Sequence, residues 1–385
     1  MSRQAWAILT GEYPPQPGGV SDYTRLLARG LAEAGDEVHV WAPPWGKTAA
    51  ADAAVRLHTL PDHFGVSSLT MLDDALNRLG RPCRILVQYV PHAFGQSAMN
   101  VPFCLWLLSR RRQSIWIMFH EVVFPFVAHQ PWRHALLAVV TRLMALAVVR
   151  AAERAFVAIP AWGRLLQPMA RSGLPIQWLP VFSNLPTSAS AEAAAAVRRR
   201  IAPNPESLVI GHFGTFGNPI AEILRELLPE LLHRDNRRIA LLIGRGGEEF
   251  ASNLLCQDSA FAGRIIASGG VPEQEAAAHL QACDLLVQPY PDGASSRRGS
   301  LLAGLALGLP ILTTEGALSE PLWCESGAVA LAPAGNINAM LQEADRLLGD
   351  RCCRLQLAAG ARELYQSRFA IERTIAALTN GGRLP

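Results

Sequence analysis

The stretch Pro289–Pro310, PYPDGASSRRGSLLAGLALGLP, predicts a polar loop followed by a helix, set between two strands. Short segments on either side of it, 284–288 and 311–314, are typical of buried strands. Residues 301–307 are good helix formers, and Gly308 with the proline two positions later is typical of a helix end. Two strands joined through a helix are predicted to lie parallel in one sheet.

The loop ahead of this helix has the composition of an anion-binding site. It contains three serines and two arginines: Ser295, Ser296, Arg297, Arg298 and Ser300. Backbone N–H groups at a helix N-terminus carry partial positive charge, and guanidinium groups bind phosphate through paired hydrogen bonds. These features predict phosphate binding. The alternative is a solvated loop whose arginines serve only solubility.

Length and composition indicate a globular protein of two domains. The chain has 385 residues, of which half are apolar and 17% are charged. Its formal net charge of +3 is too small to argue for nucleic-acid binding. The seven cysteines are scattered without zinc-site spacing, so we expect a reducing cytoplasm and no structural metal. The first residues run directly into a strand-like segment, and we expect no signal peptide.

Strand and helix patterns alternate twice along the chain, which predicts an α/β protein with two doubly wound, Rossmann-like domains. We place the first domain at 1–186 and the second at 207–355. The segment 187–206 is rich in alanine and polar residues and is broken by prolines, so it is predicted to be the linker. The tail, 356–385, is predicted to be helical.

Some candidate binding residues are predicted at the carboxyl ends of parallel strands, where α/β folds bind ligands. His120 follows one strand-like run, and Arg245 follows another, 239–243. Gly18 and Gly19 lie in the first strand-to-helix turn, where glycine lets a backbone approach a ligand closely. The alternatives are a core histidine hydrogen-bonded to backbone and a plain tight turn.

Together these motifs resemble those of the family 4 retaining glycosyltransferases, whose fold of two domains facing a cleft is called GT-B. The loop, helix and Gly-Leu-Pro of 289–310 resemble the family's donor-site motif, and Pro-Pro-x-x-Gly-Gly-Val-x-x-Tyr resembles its N-terminal motif. The resemblance implies that Gly18 and Gly19 meet the donor diphosphate and the acceptor. It also implies that His120 contacts the transferred sugar, that the backbone near Val271 meets the nucleotide base, and that the last helix crosses back to the first domain.

The donor site departs from the family's pattern in two ways. Where the family has two glutamates eight positions apart, this chain has Ser295 and Ala303. The family also carries an Arg and a Lys near the glycine-bracketed turn that holds Gly214 and Thr215, and here both are replaced. The turn itself is still expected to meet the donor. We predict that arginines elsewhere offset the diphosphate charge, and the candidates are Arg245, Arg297 and Arg298.

The resemblance implies a glycosyltransferase that moves a sugar, with retention, from a nucleotide-diphosphate sugar to a saccharide or lipid-linked acceptor. It implies hexosyltransferase-like chemistry in polysaccharide biosynthesis that needs neither a metal ion nor a cofactor besides the donor. The missing glutamates and cations favour the alternative, a non-catalytic nucleotide-sugar-binding protein with the same fold. An epimerase is a third possibility, and it lacks a clear acid–base pair.

Weak peripheral contact with the inner membrane face is a further expectation. Three aromatic apolar stretches lie in the predicted first domain, at 103–106, 116–119 and 124–126, and Arg110–Arg112 adjoin the first of them. Basic residues attract anionic lipid. The alternative assigns these stretches to strands and core helices. The apolar run 135–152 contains two arginines, so we expect a buried or interfacial helix there and no membrane span.

Overall fold

A computed structural model of the protein describes residues 4–46, 53–79, 83–127 and 129–381. Within these residues the chain forms two compact units. The first contains residues up to 181 together with those from 371 onward, and the second contains 182–370. The predicted α/β class with two doubly wound domains is confirmed, since each unit has its own parallel sheet.

The first unit is built on a parallel sheet. Its strands are β1 Ala5–Thr10, β2 Glu37–Ala42, β3 Val55–Thr59, β4 Cys83–Tyr89, β5 Ile115–Phe119, β6 Arg154–Val157 and β7 Ile176–Trp178. Its first helices are α1 Gly19–Glu33, α2 Val66–Arg78, α3 Val101–Ser109, α4 Trp132–Ala151 and α5 Pro160–Leu166. The order across the described sheet is β3-β2-β1-β4-β5-β6-β7. Every residue of β1 and β5 is buried, because parallel sheets of this kind are covered on both faces.

The second unit has the same plan. Its strands are β8 Leu208–Phe213, β9 Arg238–Ile243, β10 Ile265–Gly269, β11 Leu285–Gln288, β12 Ile311–Glu315 and β13 Ala330–Pro333. Its helices are α6 Ala191–Ile201, α7 Asn218–Arg234, α8 Gly247–Gln257, α9 Glu273–Gln281, α10 Gly299–Ala306, α11 Leu322–Glu325, α12 Ile337–Gly349 and α13 Arg351–Leu364. The sheet order in the described residues is β10-β9-β8-β11-β12-β13.

The segment predicted to be a linker, 187–206, belongs to the second unit. It contains α6, whose Arg198 donates hydrogen bonds to the Asp284 carboxylate at 2.6 Å and to the carbonyl of Ala282 at 2.9 Å. These contacts hold α6 within the second unit. The first unit ends at 181, earlier than the predicted 186, and Ser183 already bonds to Tyr365 of the second unit.

The predicted helical tail, 356–385, is divided between the two units. The helix α13 begins before it, and a π-helical turn, Tyr365–Phe369, completes the second unit. Only the last helix, α14 Ile371–Thr379, belongs to the first unit, where it packs on α1. A Cβ atom on Gly30 of α1 would meet the Ile375 side chain at 2.9 Å, so glycine permits this close helix contact.

Candidate functional site

Each sheet has a point at which the strand order changes direction. In the second unit this point lies between β8 and β11, and in the first unit it lies between β1 and β4. Ligands of open α/β sheets bind beyond the carboxyl ends of the strands at such a point. The loops that follow these four strands are therefore the candidate binding loops, and each unit contributes its own set.

In the second unit, the loop between β11 and α10 holds two arginines on one carboxylate. Arg297 donates to Asp292 at 2.5 Å, and Arg298 donates to the other oxygen of the same carboxylate. The Arg298 guanidinium also lies 4.7 Å from the ring centre of Tyr290, whose hydroxyl is 2.7 Å from the Ser300 hydroxyl. Two positive charges share one negative charge, so the loop keeps a net positive charge and its guanidiniums are held in place.

Ser296 is engaged by a buried carboxylate. Its backbone N–H and its hydroxyl both donate to Glu320, the hydroxyl at 2.5 Å, and Trp323 donates to the same carboxylate at 2.6 Å. Glu320 is buried, and these hydrogen bonds satisfy it. Ser296 is predicted to bind substrate. In the structure its hydrogen bonds to Glu320 fix the loop beside α11.

Several buried polar atoms near this point of the second sheet have no hydrogen-bond partner among the residues that the structure describes. They include the Nε2 atom of His212, the hydroxyl of Ser295 and the Nε atom of Arg298. His212 is in β8, and the other two are in the loop after β11. A buried polar group without a partner costs about 1–3 kcal/mol. These atoms lie in β8 and in the loop after β11, on the two sides of the switch point, and this position supports a ligand site at this edge.

The remaining predicted residues of the second unit lie at the same carboxyl edge of the sheet. Gly214 and Thr215 follow β8, Arg245 follows β9, and Val271 follows β10. A Cβ atom on Gly244, which has a φ of +117°, would lie 2.1 Å from the carbonyl oxygen of Gly214, so the turns after β8 and β9 pack backbone to backbone. Arg245 is exposed, whereas the loop arginines after β11 are largely covered.

In the first unit, the N-terminus of α1 is already occupied by a carboxylate. Glu12 accepts hydrogen bonds from the backbone N–H groups of Val20 and Ser21, at 3.1 and 3.0 Å. A Cβ atom on Gly18 would lie 2.5 Å from this carboxylate, so Gly18 gives Glu12 room to reach the helix. Gly18 therefore lies against an internal carboxylate, and a phosphate at this turn would compete with it.

His120 follows β5 at the carboxyl edge of the first sheet and is buried. Its Nε2 atom lies 2.8 Å from the side-chain amide oxygen of Gln88, and with the amide in this orientation Nε2 donates and Nδ1 keeps its lone pair. The Tyr23 ring packs edge-on against it at 4.9 Å, and Trp162 donates to its backbone carbonyl. Burial lowers the pKa of His120 to about 4. The side chain is thus a neutral, fixed hydrogen-bond acceptor at neutral pH.

The protein should lose stability as the pH falls from about 6.5 to about 4, because of His120 and His212. Burial lowers the pKa of each imidazole to about 4, so the unfolded chain takes up these protons first. At 1.36 kcal/mol per pKa unit, each histidine would remove at most about 3 kcal/mol from the free energy of unfolding over this range. Urea denaturation of the wild type and of His120→Asn at pH 7 and pH 4.5 checks this, and equal losses in both proteins would contradict it.

Sequence reasoning missed four side chains that shape these sites: Glu12, His212, Asp292 and Glu320. Asp292 lies within Pro289–Pro310, and its nearness in sequence to two arginines could have indicated an ion pair. The hydrogen bonds of Glu12 and Glu320 span loops, so sequence spacing gave no signal for them. Among the residues with described positions, no group of three or more His, Cys, Asp or Glu side chains could hold a metal ion.

The second unit has a recognisable family signature. Residues 207–350 match the family model described as "Glycosyl transferases group 1". This part of the chain therefore resembles a domain of that family. The match contains β8, β11 and the two-arginine loop, so the switch point of the second sheet lies within the matched residues. No curated protein matches the chain in sequence.

Solved structures confirm the predicted GT-B fold for the chain as a whole. Sucrose-phosphate synthase from Thermosynechococcus elongatus matches with a TM-score of 0.72 at 17% identity, covering 98% of both chains. WaaG, a glycosyltransferase involved in lipopolysaccharide biosynthesis, matches with a TM-score of 0.70 at 15% identity, covering 98% of this chain and 100% of its own. HepE of Anabaena, solved in complex with UDP and glucose, matches with a TM-score of 0.69 at 16% identity, covering 98% of this chain and 99% of its own. At these identities the similarity shows the fold alone.

Proposed function

We propose that this protein is a glycosyltransferase that takes its sugar from a nucleoside-diphosphate donor bound by the second unit. The observation that carries the proposal is the two-arginine loop, which precedes α10 at the switch point of the sheet that matches the glycosyltransferase family model. The fold supports the same conclusion, since HepE of Anabaena has also been solved with UDP-glucose. The donor is therefore a nucleotide sugar, and the nucleoside is to be established by experiment.

In this mechanism the second unit stabilises the leaving group. When the bond between sugar and diphosphate breaks, negative charge develops on a phosphate oxygen. A guanidinium has five N–H donors, so Arg297 and Arg298 can each keep a bond to Asp292 and still donate to phosphate. The partial positive charge at the N-terminus of α10 acts in the same direction. Interactions that strengthen as this charge develops lower the barrier.

The first unit supplies the contact to the sugar. The Nδ1 lone pair of His120 can accept a hydrogen bond from a sugar hydroxyl, because Gln88 holds the proton on the other nitrogen. Its low pKa keeps it from carrying a charge at neutral pH. We extend the proposal to a retaining, metal-independent transfer in the cytoplasm onto a saccharide or lipid-linked acceptor, as the family resemblance implies.

A sugar-nucleotide screen tests this function. UDP, GDP and ADP are first compared by thermal shift, and the sugars of the nucleotide that binds are then assayed for release of nucleoside diphosphate. The double variant Arg297→Ala/Arg298→Ala should lose both binding and release, whereas Arg351→Ala, an exposed arginine on α13, should retain both. Binding without any release, even with saccharide and lipid-linked acceptors present, would favour the non-catalytic alternative. The absence of binding to all three nucleotides would contradict the proposal.

A further inference from the structure

Helix α4 carries apolar side chains on the face that it turns to solvent. Trp132, Leu136, Val139 and Leu143 follow one another at spacings of four, three and four residues, and their side chains are 71%, 48%, 47% and 58% exposed. The opposite face of the helix is buried in the core. A helix that covers a sheet normally presents polar residues to solvent. Helix α4 is long and apolar enough to span a membrane by length and composition, and it nevertheless packs on the first sheet.

The exposed apolar area extends beyond α4. Helix α3 packs beside α4, and the segment before α4 adds further exposed side chains. We call this area the α3–α4 surface, and its members are Val101, Leu105, Phe126, Val127, Trp132, Leu136, Val139 and Leu143. Exposed apolar areas of this kind on folded proteins mark sites of contact with a partner or a membrane.

Positive charges outnumber negative charges around this surface. The sequence 122–152 contains no aspartate and no glutamate, and Arg133 and Arg150 are exposed near the two ends of α4. Beyond the end of α3, Arg111 and Arg112 line a shallow cavity of about 440 Å³. Arg171 and one carboxylate, that of Glu153, lie in the same cavity wall. An apolar strip with cations at both ends is complementary to a partner that has an apolar interior and anionic groups at its surface.

We propose that the α3–α4 surface rests on a lipid membrane containing anionic lipids, with the apolar strip of α4 lying in the membrane plane. From Trp132 to Leu143 the strip is about 17 Å long at 1.5 Å per residue. Helices that bind membranes in this way bury one apolar face at the level of the headgroups and attract anionic lipid through flanking arginines. The other face of α4 remains in the protein core, so the helix does not cross the bilayer.

The residues of the α3–α4 surface differ from those that the sequence predicted for membrane contact. Phe103, Cys104 and the strand residues Trp116–Phe119 are buried and cannot reach a membrane. Arg110 is paired with Asp73 and lies over the Trp106 ring, so it is engaged within the protein. Leu105, Pro125 and Phe126 are the members of the predicted stretches that remain exposed, together with the unpredicted face of α4.

Vesicle cosedimentation tests the proposal. The full-length protein is mixed with phosphatidylcholine vesicles that contain or lack anionic phosphatidylglycerol, at low and high salt. We expect binding to the anionic vesicles at low salt and at least about tenfold weaker binding at high salt. Leu136→Glu/Leu143→Glu should weaken binding about tenfold or more, and Arg111→Ala/Arg112→Ala should remove much of the salt dependence. Leu355→Glu, at a 59% exposed leucine in the second unit, is the matched control and should bind like the wild type.

Three results would overturn the proposal. The first is a wild-type protein that stays in the supernatant with anionic vesicles at low salt. The second is equal binding by the wild type and by Leu136→Glu/Leu143→Glu, with unchanged thermal unfolding as the check that both are folded. The third is light scattering that shows a wild-type dimer and a monomeric variant, without vesicle binding, because the surface would then join two copies of this chain.

Discussion

Alanine at Arg297 or Arg298 is expected to weaken binding of the nucleoside diphosphate by about 1.5–3 kcal/mol, which is the scale of a charge-assisted hydrogen bond. This corresponds to a loss of roughly 10- to 150-fold in affinity. Both guanidiniums lie immediately before α10, and Asp292 holds them. Since the Arg and Lys that the family uses are absent from the turn at Gly214 and Thr215, few other cations can offset the diphosphate charge. Isothermal titration of each variant with the nucleotide that stabilises the wild type measures the effect.

Two further variants make this test specific. Arg298→Lys keeps the charge and loses the planar fork and the contact with the Tyr290 ring, so it should recover only part of the affinity. Arg351→Ala removes a positive charge from the same unit, away from the loop, and should leave the affinity unchanged. Wild-type affinity in both Arg297→Ala and Arg298→Ala would show that the diphosphate is held elsewhere, with the exposed Arg245 as the next candidate.

The local sequence pattern predicted the loop that contains Arg297 and Arg298. The strand β11, the helix α10 and the strand β12 are all where the stretch around 289–310 placed them. Their signals are local: apolar runs for strands, helix formers for the helix, and Gly308 with a φ of +64° at its end. The place of 187–206 in the second unit was missed because contacts such as that of Arg198 with Asp284, across 86 residues, are not revealed by any local pattern.

The candidate site was predictable at the level of residue types and not at the level of partners. Arginines and serines before a helix suggest an anion, and the sequence shows them. The carboxylates that accept hydrogen bonds from such groups depend on how the loops fold. Glu320 accepts from Ser296, and Glu12 accepts from the backbone at the start of α1. Both contacts occupy N–H groups that the sequence suggested for phosphate. We therefore expect Arg297 and Arg298 to make the main contacts with the donor diphosphate.

Alanine at His120 is expected to lower the turnover number about 10²- to 10³-fold, the range found when one fixed hydrogen-bonding group is removed from an active site. Affinity for the free nucleoside diphosphate should remain within about twofold of the wild type. The reason is that His120 belongs to the first unit, whereas the predicted contacts with the base and the arginines predicted to bind the diphosphate belong to the second. Steady-state kinetics with the intact donor and calorimetry with the free nucleotide separate the two effects.

A conservative variant distinguishes a contact with the sugar from a merely structural role. His120→Asn can place an acceptor oxygen close to the position of Nδ1 and should recover part of the turnover, whereas Gln88→Leu should lower it because the proton on Nε2 loses its acceptor. Because burial lowers the pKa of His120 to about 4, wild-type activity should stay level from pH 8 to about 5.5 so far as this group controls it. A drop in nucleotide affinity as large as the drop in turnover, in a folded His120→Ala protein, would assign His120 to the fold or to the nucleotide and refute its contact with the sugar.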